Sequence, residues 1–160
     1  MSKKQNTVAT PFLRFLFLIY CAVMLWLLFN RPTGWIEGLT YRQMLRQNIN
    51  LIPFLTIRNY LHVIIHRTNS ALISHCIINL CGNIFLFIPA GWLLPRLFPK
   101  TRNYFRFFLT CFLSILLIET LQLFTLLGSF DIDDLILNLF GMTLGFIFFH
   151  ICSAGKKKKQ

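Results

Sequence analysis

Four long apolar stretches alternate with shorter polar or basic segments along the chain. Each stretch is close to the roughly 20 residues that an α-helix needs to cross a hydrocarbon core of about 30 Å. The pattern therefore predicts an all-α integral membrane protein, a bundle of four transmembrane helices. The predicted spans are residues 12–29, 71–94, 104–127 and 132–152. We expect one membrane domain over residues 12–152, preceded by a short segment (1–11) and followed by a basic tail (153–160).

The connection between the first two spans, residues 30–70, is too long for a simple turn and too apolar for a free linker. Over residues 39–49, apolar and basic side chains each recur every four positions, which is typical of an amphipathic helix lying in the membrane interface. The pattern recurs over residues 58–66. His62 and His66 have a spacing that could bind a metal from one helix face, but no third ligand is near them in sequence. A solvated helix face is the better interpretation, and no metal or other cofactor is predicted.

Composition supports the membrane interpretation. Hydrophobic residues make up 56% of the 160 positions and charged residues only 13%, whereas soluble domains carry about 25% charged residues. A small soluble fold is mostly surface and could not bury so many apolar side chains. The net charge of +11 would suggest nucleic acid as the partner of a soluble protein. Here the basic residues lie mainly outside or at the ends of the spans, so a lipid bilayer is predicted as the partner and nucleic acid is not.

The distribution of Lys and Arg predicts the orientation of the bundle. With four spans, the N-terminal segment, the second loop and the C-terminal tail share one side and together carry 11 basic residues. The much longer first loop carries five. Because basic residues concentrate in cytoplasmic flanks and loops, both termini are expected in the cytoplasm.

Polar side chains inside the spans are the candidate functional residues. Such groups cost free energy in lipid, so they face the bundle interior and by default indicate a functional site. They are His75, Asn79 and Asn83 in the second span, Glu119 and Gln122 in the third, and Asp131, Asp134 and Asn138 in the fourth. Asp133 falls off the shared face of the fourth span and is expected to point towards the membrane interface. Gly141 and Gly145 continue that face and predict close packing against another helix.

Topology brings these polar groups to a similar depth. With a rise of about 1.5 Å per residue, Glu119 lies roughly 12 Å below the outer end of its span, and the polar ends of the other two spans face the same zone. The sequence therefore predicts one polar pocket in the outer leaflet, in which the charge of Glu119 matters most. Such a pocket suits a polar headgroup, a phosphate-bearing lipid or the foot of a lipid-linked glycan. The alternative is that the amides form interhelical hydrogen bonds that only stabilise the bundle.

Several ordered motifs resemble a known family. They are Asn50-Leu-Ile-Pro-Phe54, Asn79-Leu-Cys-Gly-Asn83-Ile-Phe-Leu-Phe-Ile-Pro89-Ala-Gly91, Glu119-x-x-Gln122 and Asp131-x-Asp133-Asp134-x-x-x-Asn138-x-x-Gly141-x-x-x-Gly145. In this order and spacing, over about residues 15–150, the chain resembles the VanZ-like family. That family comprises small bacterial multi-span membrane proteins named for a member linked to low-level teicoplanin resistance. The resemblance implies a location in the bacterial plasma membrane and a link to glycopeptide resistance.

Two classes of function remain open. The first is a non-catalytic envelope protein that binds a lipid-linked cell-wall precursor or a lipophilic glycopeptide at the outer leaflet and contributes to teicoplanin-type resistance. The second is an intramembrane enzyme in which Glu119, with Asp131 or Asp134, acts as acid and base on a lipid-linked substrate or holds a divalent metal. The sequence contains no nucleophile–base pair, phosphate-binding loop or dinucleotide motif, which favours the first class. Transport is weaker still, because no inverted repeat is evident.

Overall fold

The computed structural model describes residues 11–30 and 35–157 of the chain. The predicted N-terminal segment, apart from its last position, and the end of the predicted basic tail lie outside the described residues. Seven α-helices are present in the described ranges. They are α1 (Pro11–Phe29), α2 (Tyr41–Gln47), α3 (Leu55–His66), α4 (Ser70–Phe85), α5 (Ile88–Leu97), α6 (Tyr104–Thr125) and α7 (Ile132–Lys157). A 3₁₀ turn (Pro99–Arg102) joins α5 to α6, and two short strands, β1 (Ile49–Asn50) and β2 (Phe130–Asp131), pair in parallel.

Four helical stretches in this part of the chain are long and apolar enough to cross a membrane. They are Pro11–Phe29, Ser70–Leu97, Tyr104–Thr125 and Ile132–Gly155. The predicted all-α membrane bundle is therefore confirmed. The long first loop carries α2 and α3, over the two segments whose spacing predicted helices there.

The second span is not the single helix that its apolar length suggested. It consists of α4 and α5, separated by a turn at Leu86 and Phe87. Pro89 explains the break, because it has no backbone N–H and its ring would clash with the carbonyl of Phe85. At the turn the backbone forms a hydrogen bond between residues three apart, in which the N–H of Phe87 donates to the carbonyl of Ile84 (3.2 Å).

The helix α7 lies in the middle of the bundle and runs alongside α4 and α5. Glycines allow this close approach: a β-carbon on Gly141 would collide with the backbone of Ile84, and one on Gly145 with the backbone of Ile88. Gly91 of α5 meets Met142 of α7 in the same way. The two glycines that the sequence assigned to helix packing thus lie where two backbones touch.

The apolar core joins α6 and α7 to the second span. Its most deeply buried side chains on α6 are Phe107, Cys111 and Ile115, and the core continues through Met142 and Phe146 of α7. The first helix is peripheral, since only two of its residues are buried. The remaining apolar surface of α1 is left for contact with lipid.

Candidate binding cavity

A cavity of about 660 Å³ lies at the end of the bundle where α7 begins. Its walls come from the C-terminal end of α1, from α3, from α4 and from the turn that joins α6 to α7. Its polar lining combines carboxyl, amide, hydroxyl and imidazole groups. These belong to Asn48, Thr56, Tyr60, His75, Asn79, Asn83, Ser129, Asp131 and Asp134.

A hydrogen-bonded row of side chains joins α4 to α7 along one wall. Asn79 and Asn83 lie one turn apart on α4, and the side-chain nitrogen of Asn83 is 3.4 Å from the side-chain oxygen of Asn79. The same nitrogen donates to the carboxylate of Asp134, in the first turn of α7. Because Asn83 is only 7% exposed, this contact fixes the two helices relative to each other at the cavity.

A second group of contacts holds the first loop against the start of α7. The carboxylate of Asp131 accepts hydrogen bonds from the hydroxyl of Thr56 (2.6 Å) and from the side-chain nitrogen of Asn50 (3.3 Å). It also accepts from the backbone N–H of Asp133 (2.8 Å). The parallel pairing of β1 with β2 sets this register, since it places Asn50 beside Asp131. The loop is therefore part of the cavity wall.

Asp133 corrects an expectation from the sequence. It was expected to point towards the membrane interface, but its side chain is fully buried (0% exposed). Its carboxylate accepts from the backbone N–H of Phe54 (2.5 Å) and from that of Ile57 (3.1 Å), at the beginning of α3. The first N–H groups of a helix have no partner within the helix, and the positive end of the helix dipole favours a negative charge there. The expectation was wrong because α3 folds back over the start of α7.

Three residues of the predicted polar cluster are buried beside the cavity without lining it. They are Glu119, Gln122 and Asn138, with exposures of 2–4%. The side-chain nitrogen of Gln122 donates to the carbonyl of Leu28 (2.9 Å), which anchors the end of α1 to α6. The structure thus divides the cluster. Its members on the cavity surface are His75, Asn79, Asn83, Asp131 and Asp134.

Sequence reasoning did not single out several residues that shape the cavity. Thr56 and Tyr60 lie on α3, which was interpreted only as an interfacial helix. The ring of Tyr60 packs edge-on against that of His75, with centroids 6.3 Å apart. Asn50 belongs to one of the family motifs, and that motif was the available signal for its role. For Thr56 the sequence carries no signal, because its function arises from contact with a residue 75 positions away.

The cavity is lined by acidic side chains and borders the lateral, apolar surface of the bundle. Asp131 and Asp134 carry its charge, and none of the described lining residues is Lys or Arg. Leu27 and Ile78 line it as well, and they are 38% and 70% exposed. A polar recess therefore opens next to apolar surface that would face lipid.

The two histidines of α3 lie on an exposed part of that helix, with ring centroids 4.6 Å apart. Within residues 11–30 and 35–157, His, Cys, Asp and Glu side chains form no group of three that could hold a metal ion.

The fold and the cavity together define a multi-span membrane protein with a polar recess between its helices. A family model described as VanZ/LLP1 matches residues 17–153, which is most of the chain. The protein belongs to the VanZ/LLP1 family, and the family resemblance inferred from the motifs is confirmed. Comparison with the curated proteins and with the solved structures found no match.

Proposed function

We propose that the protein is a binding protein of the bacterial cell envelope. It holds the polar part of a lipid-linked or lipophilic glycopeptide-type molecule in the cavity, at the level of the outer leaflet. The observation that carries the proposal is the cavity itself. Its volume of about 660 Å³ lies within the range of about 300–1,000 Å³ typical of ligand sites.

The chemistry of the lining supports a glycan or glycopeptide as the bound part. Carboxylate oxygens accept hydrogen bonds, and side-chain amides both donate and accept, so Asp134 and Asn79 suit hydroxyl and ammonium groups. A phosphate group fits less well, because its negative charge would lie against the carboxylates of Asp131 and Asp134 in the lining.

The apolar border of the cavity supports a lipophilic ligand. Leu27 of α1 and Ile78 of α4 line the recess and are also exposed on the side of the bundle. An acyl chain attached to the bound polar part could leave the cavity between these side chains and enter the bilayer. One ligand would then contact both the polar cavity and the apolar side of the bundle.

The cellular role follows from the family resemblance and from the orientation. With both termini in the cytoplasm of a plasma-membrane protein, the cavity faces the outer leaflet, where cell-wall precursors and glycopeptides meet. Binding there alters the access of a glycopeptide to its target and contributes to teicoplanin-type resistance.

The enzyme alternative gains no support from the geometry. Glu119 is 3% exposed and does not line the cavity that holds Asp131 and Asp134, so the proposed acid–base pair shares no described substrate space. Asp131 is further occupied by its contacts with Thr56 and Asn50.

Binding of a fluorescent teicoplanin-type lipoglycopeptide to the full-length protein in lipid nanodiscs tests the proposal. We expect saturable binding that Asn79→Leu weakens about tenfold, because the leucine removes polar partners worth about 1.4 kcal/mol. Cys81→Ala is the matched control, since Cys81 lies on the same helix, is exposed and does not line the cavity. Equal affinities for the wild type and a normally folded Asn79→Leu protein would refute the proposal.

A further inference from the structure

The bundle end opposite the cavity carries a concentration of positive charge. Arg96 lies in the last turn of α5, Lys100 and Arg102 belong to the 3₁₀ turn, and Arg106 lies in the first turn of α6. We call these four residues the basic elbow.

Carboxylates of the described part lie far from the basic elbow. The nearest one along α6 is Glu119, 13 residues beyond Arg106 and therefore about 20 Å away at about 1.5 Å per residue. The three aspartates lie around the start of α7, at the cavity. The fifth acidic residue, Glu37, precedes α2, whose Tyr41 hydroxyl donates to the carbonyl of Phe124 at the far end of α6 (2.7 Å).

Two guanidinium groups of the elbow are held in place by uncharged partners. That of Arg96 stacks on the indole ring of Trp92, with its central carbon 3.6 Å from the ring centroid. The Nε of Arg96 is buried and has no hydrogen-bond partner in the described residues. The Nε of Arg102 donates to the carbonyl of Pro95 (3.1 Å). Both groups are thus ordered at the end of α5 while their positive charge is left without a carboxylate.

We propose that the basic elbow binds the phosphate group of an anionic membrane lipid, with Arg96 and Arg102 as its principal contacts. A guanidinium is planar and binds phosphate oxygens through two parallel N–H groups, and stacking on an indole orders it for that contact. Lys100 and Arg106 add charge at the rim.

The position of the elbow in the span fits a headgroup. The second span ends at Leu97, so Arg96 lies where the hydrocarbon core gives way to the headgroup layer. Trp92 and Tyr104 flank the elbow, and such aromatic rings are enriched at that level of the membrane. Basic pockets between transmembrane helices are sites at which anionic headgroups bind. This proposal is independent of the cavity and of its ligand.

Native mass spectrometry of the full-length protein in a neutral detergent tests the proposal, with phosphatidylglycerol, phosphatidylcholine or inorganic phosphate added. We expect phosphatidylglycerol to remain bound and phosphatidylcholine to dissociate. Arg96→Gln and Arg102→Gln should each weaken phosphatidylglycerol retention about fivefold, the effect of about one basic residue at an anionic surface. Arg58→Gln, an exposed arginine of α3 near the opposite end, should leave it unchanged.

Further outcomes distinguish a specific lipid site from a site for free phosphate and from nonspecific electrostatic attraction of anionic lipid to the basic protein. Arg96→Lys keeps the charge but loses the planar group, so a loss of retention in this variant supports a guanidinium site. If Arg96→Gln does not fold, phosphatidylglycerol retention is measured in Arg96→Lys and Arg102→Gln instead. Equal retention of phosphatidylcholine, an equal loss in Arg58→Gln, or competition by inorganic phosphate at matched concentration would overturn the lipid assignment.

Discussion

The side-chain amide of Asn83 donates a hydrogen bond to the carboxylate of Asp134, which joins α4 to the first turn of α7. One turn earlier on α4, Asn79 extends the same row. The acceptor belongs to the central helix, and the donor belongs to the second span, which breaks at the turn before Pro89. This pair therefore sets the spacing of the polar wall on which the proposed ligand depends.

Removing the charge of Asp134 or Glu119 should abolish the envelope phenotype without lowering membrane levels. Asp134→Asn and Glu119→Gln keep the size and much of the hydrogen bonding of each side chain while deleting its charge. Asp134 lies on the cavity surface. Glu119 is buried on α6 about one turn before Gln122, which anchors Leu28 of the cavity wall. The measurement is lipoglycopeptide susceptibility together with immunoblotting of membranes. Full phenotype at normal levels in both variants would remove these carboxylates from the mechanism.

Asp133→Ala should destabilise the fold. Its carboxylate accepts from the N–H groups of Phe54 and Ile57, and the substitution leaves two partly buried donors without their acceptor. We expect a loss of about 2 kcal/mol in the free energy of unfolding. Thermal unfolding in detergent measures it, and Glu37→Ala, which removes an exposed carboxylate, is the control. A stability equal to that of the wild type would show that α3 does not depend on this contact.

Gly145→Leu should destabilise the helix bundle, because the new side chain would collide with the backbone of Ile88. Overpacking of this kind costs about 1–3 kcal/mol, and backbone neighbours cannot move aside as side chains do. Gly155→Leu is the control on the same helix, since nothing lies within 4 Å of the position its β-carbon would take. An unchanged melting temperature for Gly145→Leu would mean that this face of α7 does not carry the packing.

The orientation predicts different reactivity on the two sides of the membrane. In a cysteine-free background, Glu37→Cys in the first loop should react with an impermeant maleimide in intact cells. Lys100→Cys in the basic elbow should react only after permeabilisation. The reverse pattern would show that the bundle is inverted and that the cavity faces the cytoplasm.

The sequence predicts the spans and their packing face well because both depend on local pattern. Apolar length defines a membrane helix, and the spacing of Gly141 and Gly145 identifies the face that another backbone can approach. The break in the second span also had a local signal in Pro89, but apolar length alone does not show it.

The cavity was harder to predict, because its geometry depends on contacts between distant segments. Asp131 meets Thr56, and Asp133 meets Phe54, only because the first loop folds over the start of α7. Helical spacing groups Asp131 with Asp134 and Asn138, yet burial of Asn138 takes it off the cavity surface. Periodicity thus identifies residues that face the interior, and the fold decides which of them border a cavity.

Filling the cavity gives the most direct test of the central claim that the cavity binds the ligand. Gly82 lines it, and nothing lies within 4 Å of the position that a β-carbon would take there. Gly82→Leu should therefore extend into the recess, with no clash at its β-carbon and with a gain in helix propensity. We expect this variant to unfold at or above the wild-type temperature and to bind the fluorescent lipoglycopeptide at least about tenfold more weakly, a difference of about 1.4 kcal/mol. Cys81→Leu, one residue away and outside the lining, should bind normally. Wild-type affinity in a stably folded Gly82→Leu protein would contradict the account.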